Sequence, residues 1–200
     1  MAGISLRRRL KQLVHGSPRG AGAWGAGSLI LFPRRIQGAS RLEIGARVTI
    51  DQHSWIAAYT MYGAHSYDPV IRIGDGVTIG RYFCLTAINK VHVGADCLFS
   101  EHVYISDHSH GMDPSQGPPV EQGLESKGPV IIGENTFVGY RACILPGVIL
   151  GKHCVVGANS VVTRSFPSYS MVAGAPARLI KTFKTESRTW EKPVAGDVDA

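Results

Sequence analysis

Long apolar runs and paired cysteines are what this chain of 200 residues lacks. No segment approaches the roughly 20 apolar residues of a membrane-crossing helix. The N-terminus has no uninterrupted apolar region of signal-peptide length, so a cytoplasmic location is expected. The four cysteines, Cys84, Cys97, Cys143 and Cys154, form no CxxC and have no metal-ligand spacing. They read as structural thiols of a reducing compartment, and no metal is expected. Aromatic residues are 8% of the chain and do not interleave with basic ones in a nucleic-acid motif, which argues against nucleic-acid binding. At this length one core is expected, with no room for a second catalytic domain.

What is present is a basic start and a period. Lys and Arg number 21 against 15 acids, with Arg7, Arg8, Arg9, Lys11, Arg19, Arg34 and Arg35 in the segment 1–35. Residues 4–14 read as a short amphipathic helix carrying Leu6, Leu10, Leu13 and Val14 on one face. It suits peripheral contact with an anionic membrane surface or packing against the fold. The Gly-rich stretch 16–27 reads as a linker. From Ile132 an aliphatic residue returns every sixth position: Ile132, Val138, Ile144, Leu150, Val156, Val162. Helices repeat at 3 to 4 residues and strands at 2, so a six-residue period fits neither. It fits a chain that coils as short strands, with the aliphatic pointing inward, Gly133, Gly139, Gly151 and Gly157 turning the corners and small residues in the fifth position. Three hexads make one coil. Earlier coils open at Ile44, Ile73 and Val93, giving an all-β helix of about five coils over 36–167. Insertions fall at 61–70 and 111–130, a C-terminal cap at 168–184 and a tail of little order at 185–200.

The repeat resembles the left-handed parallel β-helix of hexapeptide-repeat acyltransferases over roughly residues 40–182. The closing Val172-Ala173-Gly174-Ala175-Pro176-Ala177-Arg178-Leu179-Ile180 is similar to the segment ending that helix in xenobiotic, maltose and galactoside acetyltransferases and their polysaccharide-modifying relatives. The left hand comes from the resemblance alone. It also implies a homotrimer, acetyl-CoA as co-substrate and transfer to a hydroxyl.

The densest ionisable group is Asp107-His108-Ser109-His110-Gly111-Met112-Asp113, at the start of the longer insertion. Acyl transfer from a thioester to an alcohol needs a base with a pKa near neutrality, and histidine suits that task. The resemblance implies one histidine here; ungapped counting favours His110, with His108 close enough to exchange roles. Asp107, Asp113 and Glu101 are each able to orient an imidazole. For coenzyme A the resemblance implies Tyr140, Ala158, Thr163, Arg164, Arg178 and Lys181. Tyr59, Tyr62 and His65, with Asp107 and Asp113, are the expected acceptor contacts, of the kind that stack on and hydrogen-bond sugars. The reading is therefore direct acetyl transfer to a sugar hydroxyl of a surface polysaccharide or lipid-linked precursor. Two alternatives stay open: a β-helical carbonic anhydrase, binding zinc through His92, His102, His108, His110 or His153, and a non-catalytic β-helix that binds without turnover.

Overall fold

The computed structural model describes Pro18 and residues 20–193, and its hexads stack as three parallel sheets around one core. The first sheet carries Ala23–Trp24, Leu42–Ile44, Val70–Ile73, Lys90–Val93, Val130–Ile132 and Ile149–Leu150. The second runs from Leu29–Ile30 through Thr49–Ile50, Thr78–Ile79, Leu98–Phe99 and Phe137–Val138 to Val155–Val156 and Ser170–Gly174. The third carries Arg35–Gln37, Trp55–Ala58, Cys84–Ala87, Tyr104–Ser106, Cys143–Ile144 and Val161–Val162. Register follows the period: Ile44, Ile73, Val93, Ile132 and Leu150 lie in one column, Ile56, Leu85, Ile105, Ile144 and Val162 in another. Both columns are buried, as are the fifth-position residues Thr136, Ala142, Val148, Cys154 and Ser160. The fold is the left-handed parallel β-helix that the resemblance implies.

The coil begins earlier than the sequence reading placed it. Trp24, Ile30 and Ile36 form a rung beneath Ile44, Ile50 and Ile56, so six rungs stack instead of about five, and part of the expected linker is coil. At the other end Ser170–Gly174 turns back into Ala177–Lys184, which pairs in turn with Thr189–Glu191. That last strand lies in the expected tail and holds Trp190 against Phe183, ring centroids 5.4 Å apart. The expected helix at 4–14 lies outside the described residues.

Corners are not turned by the glycines that follow the aliphatic residues. The left-handed backbone falls on Arg47, Asp96, Asn135 and His153 at one corner and on His53, Tyr82, His102, Arg141 and Asn159 at the next. Each donates its N–H to a carbonyl one rung below, as His102 does to Arg81 at 2.8 Å and His153 to Glu134 at 2.8 Å. Gly45, Gly74, Gly94, Gly133 and Gly151 serve close approach instead. A Cβ on Gly133 would lie 2.5 Å from the backbone of Gly151 and Lys152.

Both insertions leave the coil after a strand of the third sheet. The first is a hairpin of Met61–Tyr62 and His65–Ser66; the second pairs Ser109–His110 with Leu124–Glu125. They brace one another: the Leu124 N–H donates to the Tyr67 hydroxyl at 2.7 Å, and the Tyr62 hydroxyl donates to the Val120 carbonyl at 3.2 Å.

Candidate active site

Where the chain leaves the third sheet after Ser106, Asp107 turns its carboxylate onto the rung below. It is fully buried and accepts the backbone N–H of Ile88 and of Asn89, each at 2.9 Å. The same Oδ1 lies 2.9 Å from Nδ1 of His108, whose side chain is 9% exposed. An ionised carboxylate only accepts, so Nδ1 presents its proton to Asp107, and in the neutral ring the lone pair then lies at Nε2. Ser106 fixes the same turn, its hydroxyl donating to the His108 carbonyl at 2.8 Å. The Tyr59 ring meets the His108 ring edge-on at 5.9 Å. His108 is thus buried at its oriented side and opens onto a cavity of about 460 Å³ that the two insertions wall off.

His110 lines the same cavity, more exposed and edge-on to Tyr62 at 5.2 Å. It has no carboxylate partner among the described residues. Counting along the sequence favours His110; the hydrogen bonding favours His108. Tyr59 and Tyr62 also line the cavity. Burial raises the Tyr59 phenol above its ordinary pKa, against the pull of the Arg35 cation. Four other expectations need correction. Asp107 is too deeply buried to touch an acceptor and instead orients His108. Asp113 is half-buried and caps the short turn Pro114–Gln116, accepting from the Ser115 N–H at 2.8 Å and from the Gln116 amide. His65 packs beside Gly123 in a separate depression. Glu101 pairs with Arg81 at 3.2 Å, away from both histidines.

The six residues expected for coenzyme A do not meet in one chain. Thr163 and Arg164 follow Val161–Val162 on the corner that bears His108, two rungs further on. Tyr140 and Ala158 occupy the opposite edge of the third sheet, at the corner marked by Arg141 and Asn159. Arg178 and Lys181 lie on the strand that pairs with Ser170–Gly174. Histidines for a zinc site are likewise dispersed: His92 is on the first sheet, and His102 and His153 are at different corners. Among the described residues no three His, Cys, Asp or Glu side chains gather around a metal-sized space.

Sequence reasoning missed the cavity floor, made by Arg35, Trp55, Thr86, Cys84 and Tyr104. The available signal was alternation: Arg35, Trp55, Cys84 and Tyr104 each precede an inward aliphatic of the third sheet and so point outward.

Residues 129–164 match the family model described as the hexapeptide repeat of succinyl-transferase. Over 130 residues the chain is 40% identical to WbbJ of Escherichia coli (strain K12), named provisionally as a lipopolysaccharide biosynthesis O-acetyl transferase, covering 62% of this chain and 66% of that protein. Over 156 residues it is 33% identical to Rv3034c of Mycobacterium tuberculosis (strain ATCC 25618 / H37Rv), named a probable acetyltransferase, covering 78% and 48%. The chain therefore spans just under two thirds of the first relative and about half of the second. Among solved structures, AntD, an N-acyltransferase from Bacillus cereus in complex with dTDP-4-amino-4,6-dideoxyglucose and coenzyme A, superposes with a TM-score of 0.68 at 20% identity, covering 90% of each chain. A maltose O-acetyltransferase from Clostridium difficile 630 gives 0.52 at 21% identity, covering 90% of this chain and 86% of that one. These two likenesses are of fold. With the six-residue period, the stacked rungs and the WbbJ match taken together, the chain carries a hexapeptide repeat and resembles the left-handed β-helical acyltransferases.

Proposed function

We propose that the chain transfers an acetyl group from acetyl-CoA to a sugar hydroxyl, with His108 as general base. The observation that carries this reading is the buried Asp107 carboxylate 2.9 Å from Nδ1 of a histidine that opens onto a walled cavity. That arrangement leaves Nε2 able to take a proton. Nε2 removes the hydroxyl proton as the oxygen bonds to the thioester carbonyl carbon. The tetrahedral centre then collapses, the carbon–sulfur bond breaks, and Nε2 returns its proton to the departing thiolate. No covalent acyl-enzyme forms and no metal takes part. The lipopolysaccharide wording in the name of WbbJ, and the coenzyme A and sugar nucleotide held by AntD, support this choice of donor and acceptor. A surface polysaccharide or a lipid-linked precursor is the acceptor we favour.

The family's coenzyme groove lies between subunits, and the separation of Tyr140 and Ala158 from the His108 corner fits that design. We place the complete site between copies of the chain, in a homotrimer. The test is coenzyme A release with acetyl-CoA and a panel of sugars. His108→Gln should lower turnover by about 10² to 10⁴ with coenzyme binding retained, and His110→Gln by less than tenfold. If His110→Gln is the damaging change, the base is reassigned. If neither matters, the mechanism is wrong.

A further inference from the structure

The cavity that receives His108 is also lined by residues that the transfer step does not use. Trp55 and Arg35 are among them, and the guanidinium of Arg35 lies 5.9 Å from the centre of the Trp55 ring. Arg34 approaches the same ring at 6.0 Å. Among the described residues neither arginine forms an ion pair; the arginines that do are Arg41, Arg72 and Arg81. Trp55 Nε1 is buried without a hydrogen-bond partner, an indole donor left unused beneath two cations. No carboxylate lines the cavity: its ionisable wall is Arg35, His108, His110, the Cys84 thiol and the phenols of Tyr59, Tyr62 and Tyr104. A neutral sugar has no need of two unpaired guanidinium groups, whereas planar forked donors match phosphate oxygens two at a time. The aromatic face beside them offers a stacking surface.

We infer that Arg34, Arg35 and Trp55 form an anion subsite holding the phosphate or diphosphate of an activated sugar, whose hydroxyl then reaches His108. This deepens the function proposed above and rests on that reading for the reacting end. The shared chemistry is a phosphate ester at the anomeric end of the sugar, carried either by a nucleoside or by an isoprenoid. Rings such as Trp55 discriminate between the two carriers, because only the nucleoside brings a base to stack.

The subsite is read by binding, independently of turnover. Calorimetry with UDP, dTDP, GDP, farnesyl diphosphate and inorganic pyrophosphate should show saturable binding of at least one diphosphate to the wild-type chain. Arg35→Gln should weaken it at least tenfold and the Arg34→Gln, Arg35→Gln double variant further, while Arg35→Lys retains part of it. His108→Gln should leave it unchanged. Both arginines are exposed, so these variants keep the fold, and a melting curve confirms it. A nucleotide bound more tightly than pyrophosphate, with the gain lost in Trp55→Leu, assigns a nucleotide sugar. Farnesyl diphosphate bound more tightly than any nucleotide assigns a lipid carrier. If no diphosphate binds, or if binding ignores the arginines, the subsite is refuted even when free sugars are acetylated. If diphosphates bind through the arginines but coenzyme A is never released, the subsite stands and the proposed reaction falls.

Discussion

Replacing Asp107 by Asn separates the two tasks assigned to this carboxylate. Three N–H groups converge on it: Ile88 and His108 Nδ1 on Oδ1, Asn89 on Oδ2, each at 2.9 Å. An asparagine has one oxygen and one NH₂ for those donors, so a backbone N–H is left facing another donor whichever way the amide turns. A buried unpaired donor costs about 1–3 kcal/mol, a fraction of the roughly 5–15 kcal/mol of a typical domain, so the variant folds. If the NH₂ takes the Oδ1 place, His108 must accept at Nδ1, which moves its proton to Nε2 and removes the base. If the oxygen stays there, the tautomer survives but the charge that steadies the imidazolium is lost. Either way turnover should fall by about 10² to 10⁴, or about 2.7–5.4 kcal/mol of barrier, with coenzyme binding retained. Serine proteases lose about 10⁴ in turnover on the analogous change, through the wrong tautomer. Coenzyme A release measures the first effect, a melting curve the second, and nitrogen NMR of the imidazole reports the tautomer. A folded Asp107→Asn protein with full turnover would mean that Asp107 only braces the corner, and the assignment of His108 would lose its ground.

Two further outcomes test the frame. Gly133→Ala puts a Cβ 2.5 Å from the next rung, where ordinary contact begins at 3.4 Å. The rungs must part or the Gly133 N–H to Leu150 carbonyl bond, 2.8 Å long, must yield. Overpacking plus one lost hydrogen bond comes to about 2–4 kcal/mol, or roughly 4–16 °C in melting temperature. Gly63→Ala, with nothing near its Cβ, should cost about 1 kcal/mol for its positive φ; equal losses at the two sites would refute the close-approach argument. His92 has its pKa lowered by burial, then by Lys90 and Arg72. As pH falls below about 6.5 the unfolded chain takes up that proton first, so stability conferred by the neutral ring at higher pH is lost on the acid side. His92→Gln should flatten the fall in melting temperature between pH 7 and 5, and an unchanged slope would remove His92 from the account.

The coil was legible because burial writes itself into spacing. Ile132 to Val162 could recur at six only if each faced inward, and each does. The same period in fact runs back through Trp24, Ile30 and Ile36. The Gly-rich composition of 16–27, which reads as a linker, masks the start of that period. Gly25 is there for the same reason as Gly133, since a Cβ would meet the backbone of Gly45 at 2.2 Å. Composition misled where position would have served. At the site, the sequence could place both histidines on the corner but not choose between them. The choice turns on where Asp107 points, and that is set by Ile88 and Asn89, one rung below and some twenty residues earlier. Arg35, Trp55 and Tyr104 come from three different rungs, so nothing local joins them until the coil is closed.

The three corners of the prism are not equivalent, and this inequality explains why both insertions leave from only one of them. At two corners a residue in left-handed conformation hands its N–H to the rung below, as Tyr82 does to Gln52 and Asn135 to Ala95. An insertion there would break a link in each of two neighbouring rungs and leave backbone donors unpaired. The third corner has no such unbroken ladder among the described residues: Gly38 and Gly147 take the positive φ on two rungs, and Tyr59 and Asp107 lead out of the coil. Chain can therefore leave at Tyr59 and at Asp107 without disturbing the rungs above or below, and both insertions do so one over the other. The rigid ladders then hold the third-sheet strands in register, which keeps Asp107 aimed at Ile88 and His108 aimed into the space the insertions enclose. A base in a long flexible loop would need ordering at each turnover. One anchored to the rung beneath it carries its orientation in the resting fold.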